Sequence, residues 1–360
     1  MNLTENDVAT SEVRFKISLA SSGKDFACTA QESILAASKR AGLALPYSCL
    51  SGRCGSCAAK VISGNWHYPK LPQSALNPRE ALDHALTCQA VPQSDMVLSL
   101  KDIEAVAGQQ VQQCDAVLVE KTLLTPDVLR IMLLPKTNVA YLAGQYLEFI
   151  LQDGKRRPFS IAGAPRADGL IELHVRKVAG GGFTQSLFEA GKVGDHFTLD
   201  LPHGTFVPRA DSDRPLVFLA GGTGFAPIKA LLEHYCAISP LRSLRLYWGV
   251  RESTDLYLPQ AIAKFKEQAS NFQFTPVLSE QIDFQMRYGS LHECLLQDSP
   301  DLSAVDVYMS GPPAMIASAR PALLAASLPE DRLYYDSFDF APDVLARIIQ
   351  AQRALRISAL

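Results

Sequence analysis

Hydrophobic and polar positions change their periodicity along the chain, and these changes divide it into parts. Near the start, short apolar or alternating runs predict strands at 13–19, 25–29, 59–63 and 96–100. The helical spacing of Ser33–Gly42 predicts one helix, which ends at the glycine. We therefore expect a small mixed domain of helix and strands over residues 10–104. The segment 105–113 lacks charge and clear periodicity, and we interpret it as a linker.

Residues 114–210 have a different pattern, in which short strands are separated by glycines. The predicted strands are Ala116–Glu120, Val128–Leu134, Tyr146–Leu151, Ile171–Lys177 and Phe197–Leu201. Many short strands with glycine turns between them are typical of a small antiparallel β-barrel. We expect such a barrel over this range.

From 213 to 338 apolar strands alternate with longer helices. The predicted strands are Leu216–Ala220, Ser243–Gly249, Gln273–Val277 and Asp306–Ser310. The predicted helices are Pro227–Ala237, Leu258–Ala269 and Pro313–Ala325. This alternation indicates an α/β domain with a parallel sheet of the nucleotide-binding type.

The chain continues as an extension over residues 339–360. Within it, 343–360 has apolar side chains on one side of a helical pattern and arginines at Arg347, Arg353 and Arg356. We expect this basic amphipathic helix to pack on the body of the protein. Docking of a partner is the alternative.

Composition and charge exclude several classes of protein. Hydrophobic residues make up 48% of the chain and charged residues 20%, which excludes disordered and disulfide-scaffold proteins. The 34 basic and 37 acidic residues give a net charge of −3, without the basic excess of a nucleic-acid binder. No apolar run approaches the roughly 18 residues that a membrane span needs. The first residues also lack the apolar core of a signal peptide, so we expect a cytoplasmic protein.

Four cysteines have the spacing of a metal centre. Cys49, Cys54 and Cys57 are close in sequence, and Cys88 follows much later. This is the plant-type pattern of thiolate ligands for a [2Fe–2S] cluster. A zinc site is the alternative, although structural zinc usually draws on paired cysteines or on histidines. The remaining cysteines are interpreted as small buried apolar residues: Cys28, Cys114, Cys236 and Cys294.

Two segments of the middle domain combine residue types that suit an anionic aromatic ligand. The first segment supplies Arg157, Pro158, Phe159 and Ser160. A guanidinium can pair with phosphate, a ring can cover a flat ligand, and a hydroxyl can bond a ring nitrogen. The second segment supplies His174, Val175, Arg176, Gly181, Gly182 and Thr184. Its glycines let backbone amides approach a pyrophosphate. Taken separately, the segments also fit an edge strand and a flexible turn.

A glycine turn opens the last domain. The predicted strand Leu216–Ala220 leads into Gly222, Thr223 and Gly224, after which a helix begins. Glycines and a helix N-terminus together favour bound phosphate, and a purely structural turn is the alternative. Further candidates follow later strands, at the carboxyl edge of the sheet where ligands bind. They are Arg251, Ser310, Gly311 and Pro312.

These motifs resemble those of two known families. Tyr47–Cys57 together with Leu86–Gln89 resembles the plant-type ferredoxin domain, which implies a β-grasp fold whose cluster ligands are the four cysteines. Arg157–Ser160 is similar to the R-x-[YF]-S motif of the ferredoxin–NADP reductase superfamily, and 213–338 resembles its NAD(P)H domain. The resemblance implies FAD, with FMN as the alternative. It also places Ser160 at flavin N5, with Gly182 and Thr184 at the diphosphate.

The same resemblance implies catalytic residues besides Ser160. Ser310 stands where the family usually has a cysteine near the path of hydride transfer. Phe338 matches an aromatic residue that covers the flavin, with Asp336 where an acid often lies. The alternatives are that Ser310 is a buried hydroxyl bonded to its own turn and that Phe338 is a core residue.

Three cofactor sites on one chain predict an electron-transfer reductase. A nicotinamide gives electrons in pairs and an iron–sulfur centre takes them singly, so FAD must stand between them. The chain resembles the CDP-6-deoxy-glucoseen reductases and the reductase components of bacterial oxygenases. This implies an electron-acceptor protein, either a dehydrase or an oxygenase component.

Glu252 and Asp255 beside Arg251 favour NADH over NADPH, because they repel a 2′-phosphate. A non-enzymatic redox sensor is the alternative from another class.

Overall fold

The computed structural model describes residues 13–70, 76, 78–100, 102–178, 182–338, 344 and 346. The chain forms two compact units, residues 1–109 and 110–360. Among the described residues, no helix has both the length and the apolar character needed to span a membrane. The helix expected over 343–360 lies outside the described residues, apart from Val344 and Ala346.

The first unit is a mixed sheet with one packed helix, as expected for a ferredoxin-type domain. Its strands are β1 (Arg14–Leu19), β2 (Asp25–Thr29), β3 (Ala58–Ser63), β4 (Trp66–His67), β5 (His84–Leu86), β6 (Val91–Pro92) and β7 (Met96–Ser99). Its helices are α1 (Ile34–Arg40) and the short α2 (Glu80–Asp83). The main sheet has the order β2-β1-β7-β3-β5, in which only β1 and β7 are parallel. Ser33 caps α1, since its hydroxyl accepts from the Ala36 amide (3.2 Å).

The second unit begins with a six-stranded antiparallel barrel, which we call the flavin barrel. Its strands are β8 (Gln112–Thr125), β9 (Val128–Pro135), β10 (Tyr146–Ile150), β11 (Arg156–Ser160), β12 (Ile171–Arg176) and β13 (His196–His203). The helix α3 (Gly182–Glu189) lies between the last two strands in sequence. The order is β11-β10-β13-β8-β9-β12, and a bridge between Ile161 and Leu173 joins the two end strands. β8 begins at Gln112, two residues before the expected start of the barrel at 114.

The rest of the second unit is a parallel sheet with helices, which we call the nucleotide lobe. Its strands are β14 (Leu216–Gly221), β15 (Leu244–Val250), β16 (Phe272–Leu278), β17 (Arg287–Tyr288), β18 (Asp306–Gly311) and β19 (Leu333–Ser337). Its helices are α4 (Phe225–Ile238), α5 (Pro259–Gln268), α6 (Leu291–Asp298) and α7 (Pro313–Ala325). The order is β17-β16-β15-β14-β18-β19 with every pair parallel. The carboxyl ends of all strands therefore meet at one edge.

Several elements were not expected from the sequence. The strand β11 holds the Arg157–Ser160 motif and lies outside the strands that the periodicity of the barrel segment predicts. The helix α6 and the short edge strand β17 fall in a stretch with no predicted element. The strand β19 carries Asp336, so that this acid belongs to the parallel sheet. Each of these elements is short, and long-range pairing or a local cap stabilises it.

Candidate functional site

The four predicted cluster ligands come together in the first unit as two pairs of thiols. The sulfur atoms of Cys57 and Cys88 are 3.2 Å apart, and the thiol of Cys54 is hydrogen-bonded to that of Cys49. Cys49 Sγ also accepts from the backbone amides of Ser51 and Cys54, each at 3.4 Å. The bond from Cys54 lowers the pKa of Cys49 to about 5, against the opposing effect of burial.

The backbone of the cysteine loop is wound tightly enough to bring these thiols together. Leu50, Gly52 and Gly55 all have positive φ angles, of 56°, 75° and 79°. A left-handed φ suits glycine and is unusual for leucine. Two separate thiol pairs match a cluster with two irons, whereas a single zinc ion needs four ligands around one point. The donor set therefore fits the [2Fe–2S] cluster.

The predicted flavin strand meets the nucleotide sheet through its last residue. Ser160 ends β11, and its hydroxyl donates to Asp336 Oδ2 (3.2 Å). Asp336 is buried on β19 at the carboxyl edge of the parallel sheet. The ring of Phe159 points into the barrel, where it packs on Phe149 (5.6 Å between centroids) and Phe183 (6.0 Å). Strand alternation thus directs Ser160 toward the nucleotide lobe and Phe159 into the barrel core.

The candidates on β12 also face two ways. Val175 is fully buried in the core of the barrel. His174 lies on the other face, where Nε2 contacts Glu172 (3.0 Å) and Nδ1 contacts the Tyr257 hydroxyl (3.2 Å). Burial lowers the pKa of His174, although the carboxylate of Glu172 opposes this. The imidazole is therefore held inside the unit by protein groups, and any contact with a cofactor falls to the backbone.

Arg176 brings the flavin barrel and the glycine turn together. A Cβ atom added to Gly222 would lie 3.2 Å from Arg176 Nη1, so the guanidinium lies directly over this turn. Arg176 Nε is 3.3 Å from Asp127 Oδ2, and the same oxygen is 4.0 Å from Arg251 Nη2. The buried Arg176 Nε has no hydrogen-bond acceptor within the described part of the chain. A positive charge over a glycine-rich turn fits a pyrophosphate group.

The glycine turn itself has a steric reason for its composition. A Cβ atom at Gly224 would lie 2.0 Å from the carbonyl oxygen of Ser310, so no side chain fits there. Gly222 has a φ of 55° and, like Thr223, is only half-buried. The turn passes directly into α4, whose first residue Phe225 stacks on Trp248 at 3.9 Å. Gly224 thus permits close backbone packing, while Gly222 and Thr223 present accessible backbone.

Two of the three candidate diphosphate residues near α3, Gly182 and Thr184, belong to the described residues. Gly182 is the first residue of α3. The hydroxyl of the buried Thr184 accepts from the Val178 amide (3.2 Å), so that it fixes the chain entering the helix. Gly181 lies outside the described residues.

The candidates at the end of β18 lie between β14 and β19. Ser310 is paired with Ala220 on one side and with Asp336 on the other. Its hydroxyl is fully buried and has no hydrogen-bond partner among the described residues. The alternative that this hydroxyl bonds its own turn is therefore wrong. Gly311 and the exposed Pro312 follow and lead into α7.

Phe338 continues β19 along the same edge. Its backbone amide donates to the carbonyl oxygen of Gly311 (2.9 Å), and the residue is half-buried. It is not one of the fully buried core residues. Phe338, Ser160 and Ser310 therefore all lie around Asp336, although they come from three separate stretches of sequence.

Arg251 ends up beside the acid that the sequence indicated. Its Nε is 3.1 Å from Asp255 Oδ2, and more than half of its side chain is exposed. Sequence reasoning missed Asp127, which lies between Arg251 and Arg176. It also missed Glu172 and Lys229, because only the tertiary fold brings these residues to the site.

Comparison with known proteins agrees with the three parts of the fold. Residues 17–93 match the model of the 2Fe-2S iron-sulfur cluster binding domain, 115–207 that of the oxidoreductase FAD-binding domain, and 218–321 that of the oxidoreductase NAD-binding domain. These matches define an iron–sulfur flavoprotein oxidoreductase.

Individual relatives are similar over almost the whole chain. CDP-6-deoxy-L-threo-D-glycero-4-hexulose-3-dehydrase reductase of Yersinia pestis is 34% identical, over 89% of this chain and 98% of its own. Reductase component 2 of the terephthalate 1,2-dioxygenase of Comamonas sp. is 32% identical, over 88% and 95%. The crystal structure of the Amycolatopsis cytochrome P450 reductase GcoB has a TM-score of 0.71 at 32% identity, covering 90% of this chain and 98% of that one.

The chain therefore belongs to the family of electron-transfer reductases that join a plant-type [2Fe–2S] ferredoxin domain to FAD-binding and NAD-binding domains. It is an oxidoreductase that uses a [2Fe–2S] cluster, FAD and a nicotinamide nucleotide. The expected fold class and cofactors are confirmed, so that zinc, FMN and the non-enzymatic sensor are no longer needed as alternatives.

Proposed function

We propose that electrons pass from NADH at the nucleotide lobe to FAD at the flavin barrel, then to the cluster and to a separate acceptor protein. The observation that carries this proposal is the 3.2 Å hydrogen bond from Ser160 to Asp336. It brings the predicted flavin strand to the sheet edge where nucleotides bind. Bound FAD supplies a centre that takes electrons in pairs and releases them singly.

Cys49, Cys54, Cys57 and Cys88 are proposed as the cluster ligands. The pairing of Cys49 with Cys54 and of Cys57 with Cys88 supports one pair for each iron. The backbone amides directed at Cys49 Sγ donate hydrogen bonds to a ligand sulfur, and such bonds tune the reduction potential.

The flavin barrel is proposed to hold FAD mainly through β11 and α3. Arg157 supplies a positive charge at the end of the barrel, and Pro158 and Phe159 shape the strand. Gly182 and Thr184 supply backbone at the start of α3, together with Gly181. Val175 and His174 contribute their backbone along β12, because both side chains are buried. Asp336 holds the Ser160 hydroxyl in one orientation, which would position that hydroxyl toward flavin N5.

The nucleotide is proposed to bind along the carboxyl edge of the parallel sheet. Gly222, Thr223 and Gly224 cradle its phosphates, with the charge of Arg176 above them. Gly311, Pro312 and Ser310 border the nicotinamide, and Phe338 occupies the adjoining position on the flavin face. The ion pair between Arg251 and Asp255 supports NADH, because an arginine already paired with an acid has little charge left for a 2′-phosphate.

An anaerobic titration tests this route. The purified chain is expected to carry iron, sulfide and FAD, and to bleach in both flavin and cluster absorption when NADH is added. It should then reduce cytochrome c over many turnovers, with NADPH much less effective. A preparation that binds nucleotide but does not bleach would contradict the route.

The acceptor protein is proposed to be a dehydrase that acts on a nucleotide-linked hexulose. The support is the 34% identity to a reductase named for such a dehydrase. The second candidate is an oxygenase component, which the terephthalate dioxygenase relative favours. Mixing the reductase with each purified acceptor and following NADH consumption distinguishes the two.

The cytoplasmic location stays a prediction, and cell fractionation tests it.

A further inference from the structure

A buried ion-pair network joins the flavin barrel to the nucleotide lobe, and the route above does not use it. Its centre is Lys229 on α4. The ammonium group donates to Glu233 Oε1 (2.8 Å), to Glu172 Oε2 (3.1 Å) and to the carbonyl oxygen of Ala162 (3.0 Å). An ammonium group has three donors, so all of them are used. The Lys229 side chain is 7% exposed, which removes these bonds from competition with water.

The carboxylate of Glu172 is the main partner on the barrel side. It lies on β12, is 5% exposed, and also accepts from Arg130 Nε (3.2 Å) and His174 Nε2 (3.0 Å). Burial by itself raises the pKa of Glu172, but the bond to His174 and the charge of Lys229 outweigh it and lower the pKa to about 2. The carboxylate therefore stays charged, and the attraction to Lys229 persists throughout the neutral range.

The same turn of α4 also holds the chain that leaves the flavin strand. Glu233 lies four residues after Lys229, and its Oε2 accepts from the Ala164 amide (2.9 Å). Ala162 and Ala164 follow almost directly after Ser160. The helix α4 begins immediately after the Gly222–Gly224 turn. One helical turn thus links the end of β11 to the proposed phosphate cradle.

We propose that Lys229 is a positioning residue, which fixes the glycine turn of the nucleotide lobe relative to β11 and so aligns the nicotinamide with the flavin. This inference rests on the electron route proposed above. Transfer between two bound groups depends steeply on alignment, since a displacement of about 1 Å can cost about 100-fold in rate. Lys229 acts on the chain after the flavin strand through the carbonyl of Ala162 and through the carboxylate of Glu233.

The test compares the variants Lys229→Met and Lys229→Arg with the wild type, all loaded with FAD and cluster. Rapid mixing with NADH in the absence of oxygen gives the limiting rate of flavin bleaching and the Kd for NADH. We expect Lys229→Met to lower the limiting rate by at least about tenfold with a Kd within about twofold. Lys229→Arg keeps the charge and several donors, so it should recover most of the rate.

A second readout does not depend on activity. Hydrogen–deuterium exchange reports the amides of residues 161–164, and Lys229→Met should accelerate their exchange while leaving β16 unchanged. Arg242→Met is the matched control. Arg242 is paired with the buried Asp306 (3.6 Å) at the opposite edge of the same sheet. Its loss should reduce stability but change neither the bleaching rate nor the exchange of 161–164.

Glu233→Gln provides a milder variant should Lys229→Met fold poorly, because this carboxylate is more exposed than Glu172. It should slow bleaching in the same direction. Wild-type bleaching rates and unchanged exchange in both variants would overturn the inference, as would a change confined to the Kd for NADH. Failure of the wild type itself to bleach is a different result, which contradicts the electron route and the inference together.

Discussion

Ser160 and Asp336 are 176 positions apart in sequence, and the hydroxyl of the first donates to the carboxylate of the second over 3.2 Å. The bond joins the last residue of β11 to the edge strand of the parallel sheet. It makes the orientation of one hydroxyl depend on the correct packing of both parts of the second unit. A hydrogen bond to a charged acceptor contributes about 2 kcal/mol.

Replacing Ser160 tests the proposed role of this hydroxyl. We expect Ser160→Ala to bind FAD normally but to slow flavin bleaching by NADH by about 100-fold, the loss that a misplacement of about 1 Å at the reacting groups can cause. Rapid-mixing absorbance measures the rate, and FAD release on denaturation measures occupancy. Ser318→Ala is the control, because Ser318 is exposed and its hydroxyl donates to the Met315 carbonyl within α7. A normal rate in Ser160→Ala would remove Ser160 from the proposed site.

Replacing one cysteine tests the ligand assignment. Cys57→Ser should lose iron and slow cytochrome c reduction by more than about tenfold. Removing a residue that only hydrogen-bonds a metal ligand already lowers metal affinity or activity at least tenfold, and Cys57 is proposed as a ligand itself. FAD content and ferricyanide reduction by the flavin should remain. Cys236→Ala, which removes a buried thiol from α4, should leave the iron content unchanged. Full iron content in Cys57→Ser would contradict the assignment.

The nucleotide preference can be shifted at Asp255. Asp255→Asn removes the acid paired with Arg251 and frees the guanidinium for a 2′-phosphate. We expect kcat/KM for NADPH to rise about tenfold, which corresponds to about 1.4 kcal/mol, with little change for NADH. Steady-state kinetics with both nucleotides gives the ratio. Asp168→Asn, in the exposed pair with Arg166, is the control and should leave the ratio unaltered.

Glu172 predicts how stability responds to acid. Its pKa falls from 4.5 to about 2 in the folded protein, because the bond to His174 and the charge of Lys229 outweigh burial. The lowered pKa of Glu172 therefore adds its full contribution to the free energy of unfolding above pH 4.5. This contribution, about 3 kcal/mol, is lost as the pH falls toward 2. The difference in unfolding free energy between wild type and Glu172→Gln should accordingly shrink between pH 6 and pH 3. A surface variant, Glu267→Gln on α5, should show no such change.

Local patterns in the sequence predict most of the site, because each motif lies within a few residues of one strand end. The cysteine spacing, the Arg157–Ser160 motif and the glycine turn before α4 all depend on neighbours in sequence. The helices of the nucleotide lobe were likewise predicted to within two residues, except α6. Apolar periodicity over ten or more residues determines such elements.

The rest depends on contacts between distant residues. Nothing near Lys229 indicates that its charge is buried against Glu172, and nothing near Asp127 indicates that it lies between two arginines. The alternative that the Ser310 hydroxyl bonds its own turn was wrong, and the close approach of Gly224 to the Ser310 carbonyl likewise has no signal in the nearby sequence. The residues next to a side chain in the sequence do not indicate which distant residue it will contact in the folded protein.

The position of β19 after every other described strand has a consequence for biosynthesis. A nascent polypeptide that has not yet reached Leu333 can already build the flavin barrel, but it lacks Asp336 and Phe338. In such an unfinished chain, the flavin side of the barrel lacks the edge strand β19 that packs next to Ser160. Translation itself therefore delays assembly of a competent donor site until β19 has been made.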